Sequence, residues 1–76
     1  MNSLEEYTSI TSVIERLIER ENETIALYEQ MIRQTGECVV TPLLRRIVEK
    51  KNEERSLLER ELEEINEQFE IDEAMV

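Results

Sequence analysis

The stretch Leu17–Tyr28, LIERENETIALY, decides how this chain folds. Its apolar residues recur at the spacing of an amphipathic helix, and at about 100° per residue Glu21 falls near the centre of the apolar stripe. The second half repeats this arrangement, because residues 47–58, IVEKKNEERSLL, place Lys51 and Glu54 close to the centre of their own stripe. A charge on a buried face is costly unless it is paired, bound to a metal or locally exposed. The charged centres of the two stripes are therefore the first candidates for function.

Composition limits the class of protein. The 76 residues allow one domain, 1–76, and a chain this short is marginally stable without staples or partners. The single Cys38 cannot form an intrachain disulfide, and without histidine a Cys/His zinc site is excluded. One cysteine and an acidic N-terminus, MNSLEEY, predict a cytoplasmic protein. The net charge of −10 disfavours nucleic acid and anionic membrane as partners, and no apolar run is long enough to span a bilayer.

Capping signals divide the chain into two helices. Two capping boxes predict that helix one covers either about residues 3–35 or 12–35, and the apolar spacing favours the longer, continuous helix. The only glycine, Gly36, is expected to cap it in a left-handed conformation at the start of a loop over about residues 36–41, where Val39 and Val40 are expected to fold over the core. Thr41 as N-cap and Pro42 at the first helical position predict helix two over about residues 42–70, with a frayed tail over 71–76.

Two helices of similar length joined by a short loop predict an all-α fold, an antiparallel helical hairpin. Each apolar stripe is broader than one partner helix can cover, so we expect two hairpins to pair as a homodimeric four-helix bundle. The residues expected to form the shared dimer core are Ile14, Leu17, Ile18, Ile25, Ile47, Leu58 and Leu62.

The residues around Glu21 and Lys51 resemble those of a known protein family. The segment Glu21-Asn-Glu-Thr-Ile-Ala-Leu-Tyr28 resembles the first half-site of ferritin-like, rubrerythrin-type hairpins, which place a metal-binding Glu seven residues before a Tyr. Residues 42–58 look like the second helix of that family, which usually carries Glu-x-x-His. The resemblance covers roughly residues 12–65 and implies a ferritin-like four-helix bundle.

The chain departs from the family at the ligands. Where the family has Glu-x-x-His, this sequence has Lys51-Asn-Glu-Glu54, and an ammonium has no lone pair to give to a metal. The resemblance carries metal-ligand roles onto Glu21 and, less directly, onto Glu54. It therefore implies iron or manganese only as an alternative, and the expected state is a degenerate site without a cofactor.

The expected function is structural or protein-interacting rather than catalytic. In this reading Glu21, Lys51 and Glu54 form a buried charge network, with Arg55 at its edge and the Tyr28 hydroxyl reaching a carboxylate. The alternatives are a metal-binding ferritin-like oxidase or iron-handling protein assembled from several chains, an adaptor that binds another, unknown protein, and a shifted helical phase that leaves these groups in solvent. No histidine is present to activate Cys38, and no catalytic residue is assigned.

Overall fold

The computed structural model describes residues 4–75, which form two α-helices packed against each other. Helix α1 spans Leu4–Thr35, and helix α2 spans Thr41–Ala74. No strand occurs within residues 4–75, and the short loop 36–40 turns the chain so that the helices run antiparallel. The all-α hairpin predicted from the apolar spacing is confirmed.

The hydroxyl-rich part of α1 does not interrupt the helix. Thr8 and Thr11 each donate a side-chain hydrogen bond to a backbone carbonyl one turn earlier, at 2.8 Å to Leu4 and 2.9 Å to Tyr7. These bonds satisfy the hydroxyls within the helix, which allows Thr11 to be buried. Helix α1 is therefore continuous from Leu4, as in the longer of the two predictions, while the predicted start at Ser3 lies outside the described residues.

Helix α2 is longer than predicted. The helix was predicted to end near residue 70, but it continues to Ala74. The prediction of a frayed tail is therefore wrong for residues 71–74, and Val76 lies outside the described residues. The Phe69 ring stacks on Tyr7 of α1 with ring centroids 4.0 Å apart, and Gln68 donates a 3.0 Å hydrogen bond to Asp72. No glycine or proline follows Pro42, so no residue interrupts the helix there. The two contacts stabilise its last turns.

The loop is closed by Gly36 and Thr41. Gly36 has a φ of 64°, and its N–H donates to the Ile32 carbonyl at 3.0 Å, so the predicted left-handed cap is confirmed. Thr41 is not the N-cap, because Val40 holds that position and Thr41 is already helical. The fully buried Thr41 hydroxyl instead donates to the Gly36 carbonyl at 2.7 Å and accepts from the Cys38 N–H at 3.0 Å.

The hairpin is a thin rod of 58 × 16 × 12 Å with very little interior. Its radius of gyration is 17.2 Å, against about 11 Å for a compact domain of this length. Ile14 and Ile25 are the buried apolar side chains of the described region. Val39 is 96% exposed and Val40 48% exposed, so the expectation that they fold over the core is wrong: Thr41 closes the loop and turns both valines outward.

Candidate functional site

The structure brings Glu21 and Lys51 together at the middle of the rod. The Lys51 Nζ lies 3.8 Å from the Glu21 Oε1, and the two side chains are 24% and 18% exposed. This distance makes an ion pair but is too long for a hydrogen bond. The other carboxylate oxygen of Glu21, Oε2, is buried and has no hydrogen-bond partner within residues 4–75. The centre of the hairpin thus holds a carboxylate whose hydrogen bonding is incomplete.

Arg55 belongs to a different cluster from the one predicted. Its guanidinium donates to the Asn22 Oδ1 of α1 at 2.8 Å and to the Asn52 Oδ1 at 2.7 Å, and its Nε lies 3.4 Å from the Glu59 carboxylate. At about 100° per residue, Asn22 and Asn52 lie about a quarter of a turn around their helices from Glu21 and Lys51. Neither asparagine was predicted as a site residue, although each one directly follows a charged residue at the centre of a stripe.

Glu54 and Tyr28 are not joined to the Glu21–Lys51 pair. Glu54 is exposed in the single hairpin, and within residues 4–75 no cation lies in salt-bridge distance of it. Tyr28 is half-buried, and in the described part of the chain its hydroxyl makes no hydrogen bond to a carboxylate. The described residues also contain no group of three or more Cys, Asp or Glu side chains positioned to hold a metal ion. Of the predicted network, a single hairpin therefore forms the Glu21–Lys51 ion pair, and within residues 4–75 the Glu54 carboxylate has no cation partner.

An open groove of about 370 Å³ runs beside the ion pair. It is lined by Leu17, Arg20, Glu21, Glu54, Leu57 and Leu58. A neighbouring depression continues it along α1 past Val13 and Arg16. The walls of the groove are mainly apolar, with Glu21 at the floor and opposite charges, Arg20 and Glu54, on its two rims.

The groove belongs to one side of the hairpin, which we call the apolar face. Its large apolar side chains that are between 37% and 59% exposed are Ile10, Val13, Leu17, Leu27 and Met31 of α1 and Leu43 and Leu57 of α2. Counting about 100° per residue places all of them on the same side as the groove. We call the opposite side, which carries Asn22, Asn52, Arg55 and Glu59, the polar face. The two faces of one small rod differ sharply in chemistry.

The residues of the predicted dimer core differ in burial within the single hairpin. Ile14 and Ile25 are already buried between the two helices, and Leu17 is 47% exposed on the apolar face. The other four predicted residues are half-buried: Ile18, Ile47, Leu58 and Leu62. The hairpin therefore covers part of each stripe and leaves the other part facing outward.

The amount of exposed surface is large for the size of the chain. The accessible area is 5981 Å², whereas a compact folded monomer of 9.1 kDa exposes about 4,900 Å². The excess of about 1,100 Å² is larger than the roughly 800 Å² that each partner buries in a standard protein–protein interface.

The loop carries the remaining perturbed groups. The Thr41 hydroxyl, 3.4 Å from the Cys38 Sγ, lowers the pKa of this exposed thiol, and the Val40 backbone N–H adds to the effect. Glu37 forms a salt bridge with Arg45 and raises the pKa of its guanidinium. Neither group faces the groove, so the loop chemistry is separate from the apolar face.

Comparison of the chain with protein-family models, with curated protein sequences and with solved structures finds no match. Neither of the two helices, over residues 4–75, has an apolar stretch of the length needed to cross a lipid bilayer.

Proposed function

We propose that this chain is a non-catalytic helical hairpin that acts by association, pairing with a second copy as a four-helix bundle of ferritin-like layout. The observation that carries the proposal is the apolar face, where large aliphatic side chains of both helices are exposed along the rod. Exposed apolar patches of this extent mark interaction surfaces in soluble proteins. The role that follows is structural, or that of a module which other proteins bind.

The energetics of the hairpin support this proposal. Two buried apolar side chains in the described region are a small core for a chain whose ordering costs about 1–2 kcal/mol per residue. Association through the apolar face would bury the outward part of each stripe and add the missing hydrophobic stabilisation, at roughly 25 cal/mol per Å². Folding and assembly are then coupled, as in many small obligate dimers.

The ionic centre supports a structural role over metal chemistry. The position that would bridge two metals carries Lys51, which lies 3.8 Å from Glu21 and neutralises it. A divalent cation at Glu21 would have to displace this ammonium or sit beside it, and like charges repel at such distances. Glu21 and Lys51 act in this proposal as a polar pair that fixes the register of the two helices.

The proposal is tested by the solution mass and the metal content of the purified protein. We expect a dimer at micromolar concentration and no stoichiometric iron or manganese after expression in metal-rich medium. A compact, cooperatively folding monomer would exclude the self-associating bundle. Stoichiometric metal that disappears in Glu21→Ala would overturn the non-catalytic assignment in favour of a metal-binding bundle.

A substitution at Lys51 sharpens the metal test. Lys51→Glu places a carboxylate beside Glu21, so the apoprotein should be destabilised by charge repulsion. Added manganese or iron(II) should raise the melting temperature of this variant, because binding to the folded state alone stabilises by mass action. The unmodified chain should respond little to the same metal. The matched control is Arg60→Glu, which makes the same charge change at an exposed position of α2 outside the groove.

A further inference from the structure

We propose that the second copy docks on the apolar face with its two-fold axis parallel to the helices, so that Arg20 of each chain pairs with Glu54 of the other. This arrangement rests on the proposed function and specifies how the two hairpins meet. It commits the groove to one occupant, a second copy of this chain.

Two charged side chains without an ion-pair partner in the described residues, Arg20 and Glu54, line the apolar groove. Arg20 of α1 and Glu54 of α2 line the same groove together with Leu17, Leu57 and Leu58. Within residues 4–75, neither Arg20 nor Glu54 has an oppositely charged group in salt-bridge distance. Charged groups in an interface normally meet complementary charges on the partner, since an unpaired charge covered by a partner is costly.

The position of the two charges selects the symmetry axis. Arg20 and Glu54 lie at about the same height along the rod, because both border the groove beside Glu21. If the axis runs parallel to the helices, α1 of one copy lies over α2 of the other at the same height, and each Arg20 meets a Glu54. If the axis is perpendicular to the helices and passes at this height, Arg20 meets Arg20 and Glu54 meets Glu54. Charge complementarity favours the parallel axis.

The hydrogen-bonding geometry of a guanidinium suits the same arrangement. The side chains of Glu21 and Glu54 both line the groove that the second copy would enter, while the Glu21 Oε2 itself is buried and has no hydrogen-bond partner within the described residues. A guanidinium that enters from the second copy carries several N–H donors in a planar fork. Arg20 of that copy is thus able to form a bidentate pair with the Glu54 carboxylate, next to the Glu21 side chain.

A second copy fits the face better than an unrelated partner. An interface with two-fold symmetry requires a surface that is complementary to itself, and a cation and an anion on opposite rims of one groove meet this requirement. The chain exposes 5981 Å², of which a standard dimer interface would cover about 800 Å². Each copy carries a net charge of −10, but beyond about 8 Å this repulsion is largely screened at physiological ionic strength.

The test is a charge exchange followed by sedimentation equilibrium and native mass spectrometry. Arg20→Glu and Glu54→Arg should each weaken the homodimer by about tenfold or more, because each variant makes two like-charge pairs across the interface. The matched controls are Arg60→Glu and Glu53→Arg, which make the same charge changes at exposed positions outside the groove and should leave the dimer unchanged.

Mixing and combining the variants then identifies the contact. An equimolar mixture of Arg20→Glu and Glu54→Arg chains should form a heterodimer about as tight as the original dimer, which a contact within one chain cannot produce. The double variant R20E/E54R should regain the homodimer if the axis is parallel. If the mixture forms a tight heterodimer but the double variant does not form a tight homodimer, the parallel axis is wrong. Single variants that dimerise like the unmodified chain would overturn the Arg20–Glu54 contact alone, whereas an unmodified chain that is monomeric would overturn the self-associating bundle itself.

Discussion

The two faces of the hairpin differ in how far their side chains find partners within the chain. On the polar face, Arg55 of α2 is fully engaged within the chain, by Asn22, Asn52 and Glu59. On the apolar face, Leu17 and Leu57 are about half exposed, at 47% and 58%. The polar face is thus complete in one chain, and the apolar face is not. In the proposed assembly, the polar face therefore meets water and the apolar face meets the second copy.

The largest effect is expected from a charge on the apolar face. Leu17→Asp should weaken the dimer by a hundredfold or more, about 3 kcal/mol, because it places an unpaired carboxylate in the shared core. Sedimentation equilibrium measures the loss, and circular dichroism should show reduced helicity at low concentration. The control is Ile71→Asp, at a 52% exposed position in the last turn of α2 and outside the groove. Equal effects of the two substitutions would remove the distinction between the faces.

The helices were predictable because their signals are local. Apolar spacing, capping residues and a single glycine act within a few turns of the chain, and they indicated α1, α2 and the Gly36 cap. The pairing of Glu21 with Lys51 was also foreseeable, since both lie at the centre of a stripe and opposite charges attract. What the sequence did not reveal was the extension of α2, because the stacking of Phe69 on Tyr7 joins residues from opposite ends of the chain.

The division between the faces was not predictable from one sequence. Arg55 lies at the edge of the apolar arc, and a rotation of a few tens of degrees decides whether it joins Glu21 or Asn22. The outcome depends on side-chain hydrogen bonds between helices, which the periodicity of one helix does not encode. Thr41 was misassigned for a similar reason: its hydroxyl has two partners in the loop, and these outweigh a capping bond to the first turn of α2.

The second largest effect is expected from a substitution in the loop, because the loop fixes the register of α1 against α2. Thr41→Val keeps the shape of the fully buried side chain but removes its bonds to Gly36 and Cys38, so it should cost about 1–3 kcal/mol. Chemical denaturation measures this loss. Thr8→Val, whose exposed hydroxyl only bonds back to its own helix, should cost much less.

The same variant has a chemical readout at Cys38. The Thr41 hydroxyl lowers the pKa of the thiol, so its removal should raise that pKa toward the ordinary value. Less thiolate is then present near pH 8, and alkylation by iodoacetamide should be slower at that pH but equal well above the pKa. An unchanged alkylation rate would mean that the hydroxyl does not contact the thiol in solution.

A smaller effect is expected at Gly36. Its φ of 64° is strained for a β-branched residue, while no atom lies within 4 Å of the position of an added Cβ. Gly36→Val should therefore cost about 1 kcal/mol or more through backbone strain alone, and Gly36→Asn should cost less, because asparagine tolerates this conformation. Thermal melting compares the two variants. If valine and asparagine are tolerated equally, the left-handed cap is absent in solution.

The smallest effect is expected on the polar face, at Arg55. Arg55→Met keeps the long apolar stem and removes the bonds to Asn22 and Asn52 together with the contact to Glu59. The guanidinium is partly exposed, and such pairs contribute about 0–1 kcal/mol each, because water and salt compete with them. The melting temperature should fall by a few degrees, and the dimer should keep its mass at micromolar concentration. Arg60→Met, an exposed arginine one and a half turns further along α2, is the control and should change neither quantity. A dissociated Arg55→Met protein would show that assembly uses the polar face, and the assignment of the two faces would then be reversed.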